Sequence, residues 1–139
     1  MRVIRAVPIL LGLSLTSIAL AEEFDGSVPL QCTATEAHDC LPGQGTACNP
    51  MKPESDKPPV FGIDAAKKQI KSPYRTSLLA ILYQTTNKES LVLQGADLQF
   101  AWSALINKKS GAMTISIADR KGAYIVFGQC KVAEAKPAT

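Results

Sequence analysis

One histidine, His38, and one tryptophan, Trp102, occur in 139 residues, and aromatic side chains make up only 6% of the chain. These shortages restrict chemistry. Nucleophilic catalysis needs a nucleophile, a base and an orienting group, and His38 is the only imidazole available. No G-x-S-x-G elbow or S-x-x-K motif surrounds a serine. Phosphate loops and dinucleotide fingerprints are missing. So is C-x-x-C, which a thioredoxin-like role requires, and C-x-x-C-H, which covalent haem requires. Acidic residues such as Glu36, Asp39, Asp64, Glu89, Asp97 and Asp119 fall in expected turns, with no pattern that sets two carboxylates across one cleft. The reading is a non-enzyme with no catalytic residue, no cofactor and no metal.

Charge of one sign is also lacking. The chain carries 15 basic and 12 acidic residues. Arg2 and Arg5 belong to the opening MRVIRAVPILLGLSLTSIALAEEF, which has a basic start, an apolar run from Ala6 to Leu20 and the small-x-small site Ala19-Leu20-Ala21. That is the pattern of a secretory signal peptide. The apolar run is shorter than the roughly 20 residues a membrane span needs. Residues 1–21 are expected to leave by cleavage after Ala21, with no stable membrane insertion afterwards. Without Arg2 and Arg5 the balance is 13 to 12, which offers no footprint for nucleic acid. The expected location is periplasmic or secreted.

What remains reads as one domain over 22–132, with a disordered tail at 133–139. Its organisation is two-part. Residues up to Pro59 are polar and rich in Gly, Pro and Cys; Val60 to Val132 is a succession of apolar segments. Leu98, Phe100, Trp102, Ala104 and Ile106 alternate with less apolar neighbours, as do Met113, Ile115 and Ile117. A period of two marks half-buried strands. Further strands are expected at Val28–Ala34, 60–64, 68–71, 76–84, 90–95 and 124–130. A short helix over 64–71, capped by Asp64, is the alternative for that stretch. Short loops between successive strands imply antiparallel neighbours. The fold class is therefore all-β: an up-and-down meander or barrel of about eight short strands, with a two-sheet sandwich as the rival. Closure would remove exposed edges. The inward set includes Tyr83, Phe100, Trp102 and Met113. They either fill a core or line a small ligand cavity.

Three of the four cysteines lie in QCTATEAHDCLPGQGTACNP, residues 31–50. Cys32, His38, Cys40 and Cys48 raise a metal reading, but the spacing is not that of zinc sites. An even cysteine count in an exported chain reads first as disulfides. Four cysteines allow three pairings. One has a topological reason: a closed meander sets its first and last strands side by side, so Cys32–Cys130 would fasten the seam and Cys40–Cys48 would close a local loop. The other two pairings also join this segment to the last strand. After the staple, NPMKPESDKPPV (49–60) carries four prolines, a stiff connector. Long irregular excursions in small domains often bind partners. The loop 37–59 is thus the candidate contact surface for a protein partner, with His38, Asp39, Leu41, Pro42 and Gln44 as candidate contacts.

Three stretches carry a resemblance. Trp102-Ser103 through Ile106-Asn107 to Ser110-Gly111 matches W-S-x-x-I-[DN]-x-x-[ST]-G. Phe127-Gly128-Gln129-Cys130 matches F-G-x-C. Phe24-Asp25-Gly26 through Leu30 and Cys32 matches F-D-G-x-x-x-L-x-C. Together they resemble a functionally uncharacterised group of short exported proteins of Gram-negative bacteria. The resemblance implies a β-rich stapled fold and an exported compartment, not an activity. The overall plan is also similar to periplasmic lysozyme inhibitors, without their inhibitory loop motif. An inhibitor of a cell-wall hydrolase or peptidase is accordingly a further reading, beside partner binding, ligand binding and metal binding at His38.

Overall fold

The computed structural model describes residues 24–43, 47–52 and 55–134. The expected signal segment 1–21, Gln44 and residues 135–139 lie outside them. Among the described residues there is no helix, so none long and apolar enough to cross a membrane.

Ten antiparallel strands form one sheet curled into a half-barrel. They are β1 (Leu30–Cys40), β2 (Asn49–Pro50), β3 (Val60–Asp64), β4 (Gln69–Lys71), β5 (Leu78–Ala80), β6 (Tyr83–Thr86), β7 (Ser90–Asp97), β8 (Phe100–Asn107), β9 (Ala112–Asp119) and β10 (Ala123–Val132). The order across the sheet is β5-β4-β3-β1-β10-β9-β8-β7-β6, with β2 on β1. First and last long strands are therefore neighbours, as a closing meander requires. The expected eight strands become ten because 76–84 breaks into β5 and β6 and a two-residue strand forms at Asn49–Pro50. The helical alternative at 64–71 is replaced by a β3–β4 hairpin, whose turn ends on Lys68 at a φ of 55°.

Side-chain amides and carboxylates shape the turns. Asn87 Oδ1 accepts the amides of Glu89 and Ser90, Asn107 Oδ1 those of Lys109 and Ser110, and Asp119 Oδ1 those of Lys121 and Gly122. Such side chains mimic a turn's backbone acceptor. Gly111 follows at a φ of 71°, which a side chain would strain.

The core lies on the inner side of the curl. Leu30, Ile63, Leu91, Leu93, Ile106 and Met113 are fully buried there. Phe24 closes one end. Its amide donates to the carbonyl of Lys108 at 2.9 Å and its ring is buried. The sheet is fastened by Cys32–Cys130, residues directly opposite in the β1–β10 ladder. The other bridge is Cys40–Cys48. The ladder also runs past the expected domain end, since the Ala133 amide donates to the Pro29 carbonyl at 2.8 Å.

Candidate functional site

At Thr35 the β1–β10 register slips by one residue. A bulge of this kind changes which alternate residues face inward. Before it, Leu30, Cys32 and Ala34 are buried; beyond it Ala37 is the residue packed on the core. His38 is thereby sent to the outer surface. Its Nε2 pairs with Glu36 Oε1 at 2.5 Å, and its ring stands edge-on to Phe127 at 6.3 Å. Asp39 faces the other way, and its Oδ1 is buried without a hydrogen-bond partner. Both residues belong to β1, not to the expected loop. The irregular excursion begins only at Leu41. The reason is the disulfide and β2, which extend β1 pairing through Cys40.

Above the bulge the free edge of β1 is covered by the connector. The Met51 amide donates to Ala37 O and the Ala34 amide to Pro59 O, each at 2.8 Å. Proline suits this edge, where few amides are required. Leu41 is half-buried, while Pro42, Gly43, Ala47 and Cys48 are exposed. The stapled loop stands at one end of the half-barrel, opposite the end closed by Phe24. The segment 72–77 and the tight turns 98–99 and 120–122 lie at the same end, because they join the matching ends of β4–β5, β7–β8 and β9–β10.

Within these loops a cavity of about 220 Å³ opens. Its apolar walls include Phe61, Ile70, Leu79, Trp102, Ile115 and Ile117. Its rim carries Ser72, Tyr74, Arg75, Gln99 and Asp119 beside Phe100. Arg75 bridges the rim: Nη1 lies 2.8 Å from Asp97 Oδ2, and the guanidinium sits 4.4 Å from the centre of the Phe100 ring. A second hollow of about 260 Å³ lies between the bulge and the connector, and Tyr74 lines both.

Strand pairing sets Asp39, Tyr124, Ile117, Trp102 and Gly95 in one row across the sheet. Asp39 Oδ1 and Trp102 Nε1 are buried without partners at the two sides of this row. The indole covers Gly95. A Cβ there would stand 2.5 Å from Trp102 Cζ2 and 2.5 Å from the Ala80 carbonyl oxygen. Gly95 thus lets β5 approach β7 where the sheet's two edges converge.

Of the expected interior residues, Trp102 and Phe100 line the cavity, and Met113 is buried in the core beneath it. Tyr83 is a correction: it is 54% exposed. β5 ends its pairing with β4 at Ala80, and the chain crosses through Ile81 and Leu82 to pair with β7 as β6. Ile81 keeps the inward position, and the crossing turns Tyr83 outward opposite Gln94. Arg75, Ser72 and Ile70 were not singled out in the sequence, because only the β3–β5 excursion brings them opposite β8 and β9. Thiolate ligation beside His38 is overturned, since all four cysteines are bridged.

No family model, no curated protein and no solved structure matches this chain.

Proposed function

We propose that this chain is a non-enzymatic exported protein that binds one small ligand in the mouth of its half-barrel. The observation behind this reading is the cavity between β3–β5 and β8–β9, with apolar walls and a rim of hydrogen-bonding groups. That division is usual for small-molecule sites. Size narrows the class. An apolar cavity of about 150 Å³ takes one benzene, while drug-sized ligands occupy roughly 300–1,000 Å³. About 220 Å³ fits one ring, or a short branched chain, with one polar substituent. Arg75 on the rim favours a carboxylate or another acceptor as that substituent. A Sec-type signal cleaved after Ala21, and periplasmic or secreted location, agree with two disulfides that need an oxidising compartment.

The indole N–H of Trp102 is the chain's only one, so its NMR signal reports on the wall without ambiguity. Titration with benzoate, phenol and isovalerate at millimolar concentration is expected to shift it saturably for at least one probe. Ile117→Phe, which fills the mouth, is expected to abolish the shift. Silence of the signal toward all three would remove this reading.

A second reading, a protein partner held by the stapled loop, draws on a different observation. Cys40–Cys48, the connector and the rim turns converge on that same end. Replacing residues 41–47 with a short Gly-Ser link should then abolish recovery of a partner from periplasmic extract while the fold persists. Undiminished recovery would exclude the loop.

A further inference from the structure

Over the span in which β7–β10 pair side by side, the outer face carries no charge. Along these strands the buried inward residues alternate with outward ones: Ser90 to Ala96 on β7, Ala101 to Asn107 on β8, Ala112 to Ala118 on β9 and Ala123 to Gln129 on β10. Each strand presents four outward positions over this span, and none is Asp, Glu, Lys or Arg; the next outward position of β10, Lys131, lies past its last pair with β9. At the chain's own 19% charged residues, about three of the sixteen would be charged. Solvent-facing sheet surfaces are ordinarily polar and charged. We propose that this face is an isologous interface, and that its occupant is a second copy of this chain.

Three observations select a second copy. The first is relief. Ala96, Ala101, Ala118 and Ala123 form an unbroken cross-strand row. Four residues along each strand, Val92, Leu105, Thr114 and Phe127 form another, with Leu105 48% and Phe127 41% exposed. Between them runs the row of Gln94, Ser103, Ser116 and Ile125. A two-fold axis across the strands, centred on that middle row, lays each copy's alanine row against the other's bulky row. The face is therefore complementary to itself, as an isologous contact must be.

The second is charge at the ends. Beyond one end of the face lie Lys88, Lys108, Lys109 and Lys131 against Glu89; beyond the other lie Asp97 and Asp119 against Arg120 and Lys121. Asp25 lies beside Lys108 and Arg75 pairs with Asp97, so one end is net cationic by two and the other by one. The same axis places the more cationic end of each copy over the less cationic end of its partner. Parallel stacking would instead juxtapose the two more cationic ends, which is less favourable.

The third is area. Strands about 4.8 Å apart and residues about 3.3 Å apart give a four-strand, eight-residue face of roughly 500 Å². Two copies bury about 1,000 Å², the lower bound for a specific interface. A reversible dimer in the micromolar range is the expected consequence.

Sedimentation equilibrium of the oxidised mature protein tests this from about 1 to 300 µM, the range in which weak interfaces titrate. Mass should rise from monomer to dimer. Ser116→Lys should hold the protein monomeric throughout, with an unchanged far-ultraviolet circular dichroism spectrum. Ser116→Asp should do the same, and an equimolar mixture of the two should recover a dimer. A wild type that stays monomeric at 300 µM, or a Ser116→Lys variant that still dimerises, overturns the proposal. So does a monomeric wild type that uses this face to capture another protein. None of these outcomes depends on ligand binding in the mouth.

Discussion

At Gly95, two backbones and an indole meet in a space that holds only hydrogen. Cross-strand pairing puts Trp102 opposite Gly95, and the ring lies over it. Covering a strand glycine with an aromatic neighbour restores the packing that the missing side chain would have supplied. The obstruction to a larger residue is the Ala80 carbonyl, which is backbone and cannot rotate away. Gly95→Ala is therefore expected to destabilise the fold by about 3 kcal/mol, the upper part of the range for overpacking. Urea unfolding followed by circular dichroism would measure it; a loss below about 0.5 kcal/mol, within the scatter of ordinary surface substitutions, would show that β5 does not press on β7. Trp102 was legible as an inward residue because it sits in an unbroken alternation with Ala104 and Ile106. Tyr83 was not. Its apolar neighbours LLAIL read as a continuous strand, whereas the chain changes partner at Ile81–Leu82 and the period of two does not survive the change. Nothing in single-residue hydropathy marks such a crossing.

Strands, turns and staples differ in how far local sequence dictates them. The β7–β8, β8–β9 and β9–β10 hairpins were readable, since alternation and turn residues agree. The β1 bulge was not, because Ala34 and Ala37 are too small to mark a face and Thr35-Glu36 reads as a loop. That slip sets where His38 and Asp39 face, and both lie on β1 instead of in the expected loop. The disulfides follow from topology. Cys32–Cys130 encloses 98 residues and Cys40–Cys48 encloses 8. In the chain-entropy picture the first contributes about 4–5 kcal/mol and the second about 2–3. Replacing Cys32 and Cys130 with alanine should lower the melting temperature markedly more than replacing Cys40 and Cys48, as read by calorimetry; equal losses would mean that the long loop is already compact when unfolded. The hairpin and N-terminal turns also set an acid limit. The carboxyl of Asp25 is held below its ordinary value first by the side-chain hydrogen bond with Ser27, and that of Asp64 first by the Lys67 amide. The folded state therefore binds these protons less readily than the unfolded state. The stabilisation is present above the unfolded carboxylate range and disappears as pH falls through the lower folded values. Melting temperature should stay level above about pH 5 and decline below about pH 4. Asp25→Asn with Asp64→Asn should flatten that decline slightly, because both carboxylates are only half-buried and are screened by solvent.

The whole half-barrel is asymmetric from end to end. Phe24 seals one end, while the other collects the stapled loop, the connector and the cavity. Trp102 covers Gly95, Asn107 caps a turn that ends on Gly111, Cys130 fastens the seam and Phe24 closes the base. Each of these residues holds the scaffold, whereas Arg75, Ser72 and Gln99 line the mouth. Arg75 is the residue on which the two roles separate. It joins the 72–77 segment to Asp97 across the gap between the sheet's edges, and it stacks on Phe100. Both partners of the ion pair are more than a third exposed, and such pairs contribute at most about 1 kcal/mol. The stacking adds about 0.5–1 kcal/mol at an exposed site. Arg75→Ala should therefore leave the fold intact, with a stability loss of about 1 kcal/mol. The same substitution removes the only cation among the described residues of the cavity wall. Benzoate binding, followed through the Trp102 indole signal, should weaken at least tenfold, whereas phenol binding should change little. Equal weakening of both would assign Arg75 to the shape of the rim instead of to recognition of a carboxylate. A stability loss of several kcal/mol would make it a structural clasp, and the open end would then be held shut by the very residue that here is read as its anion-binding group.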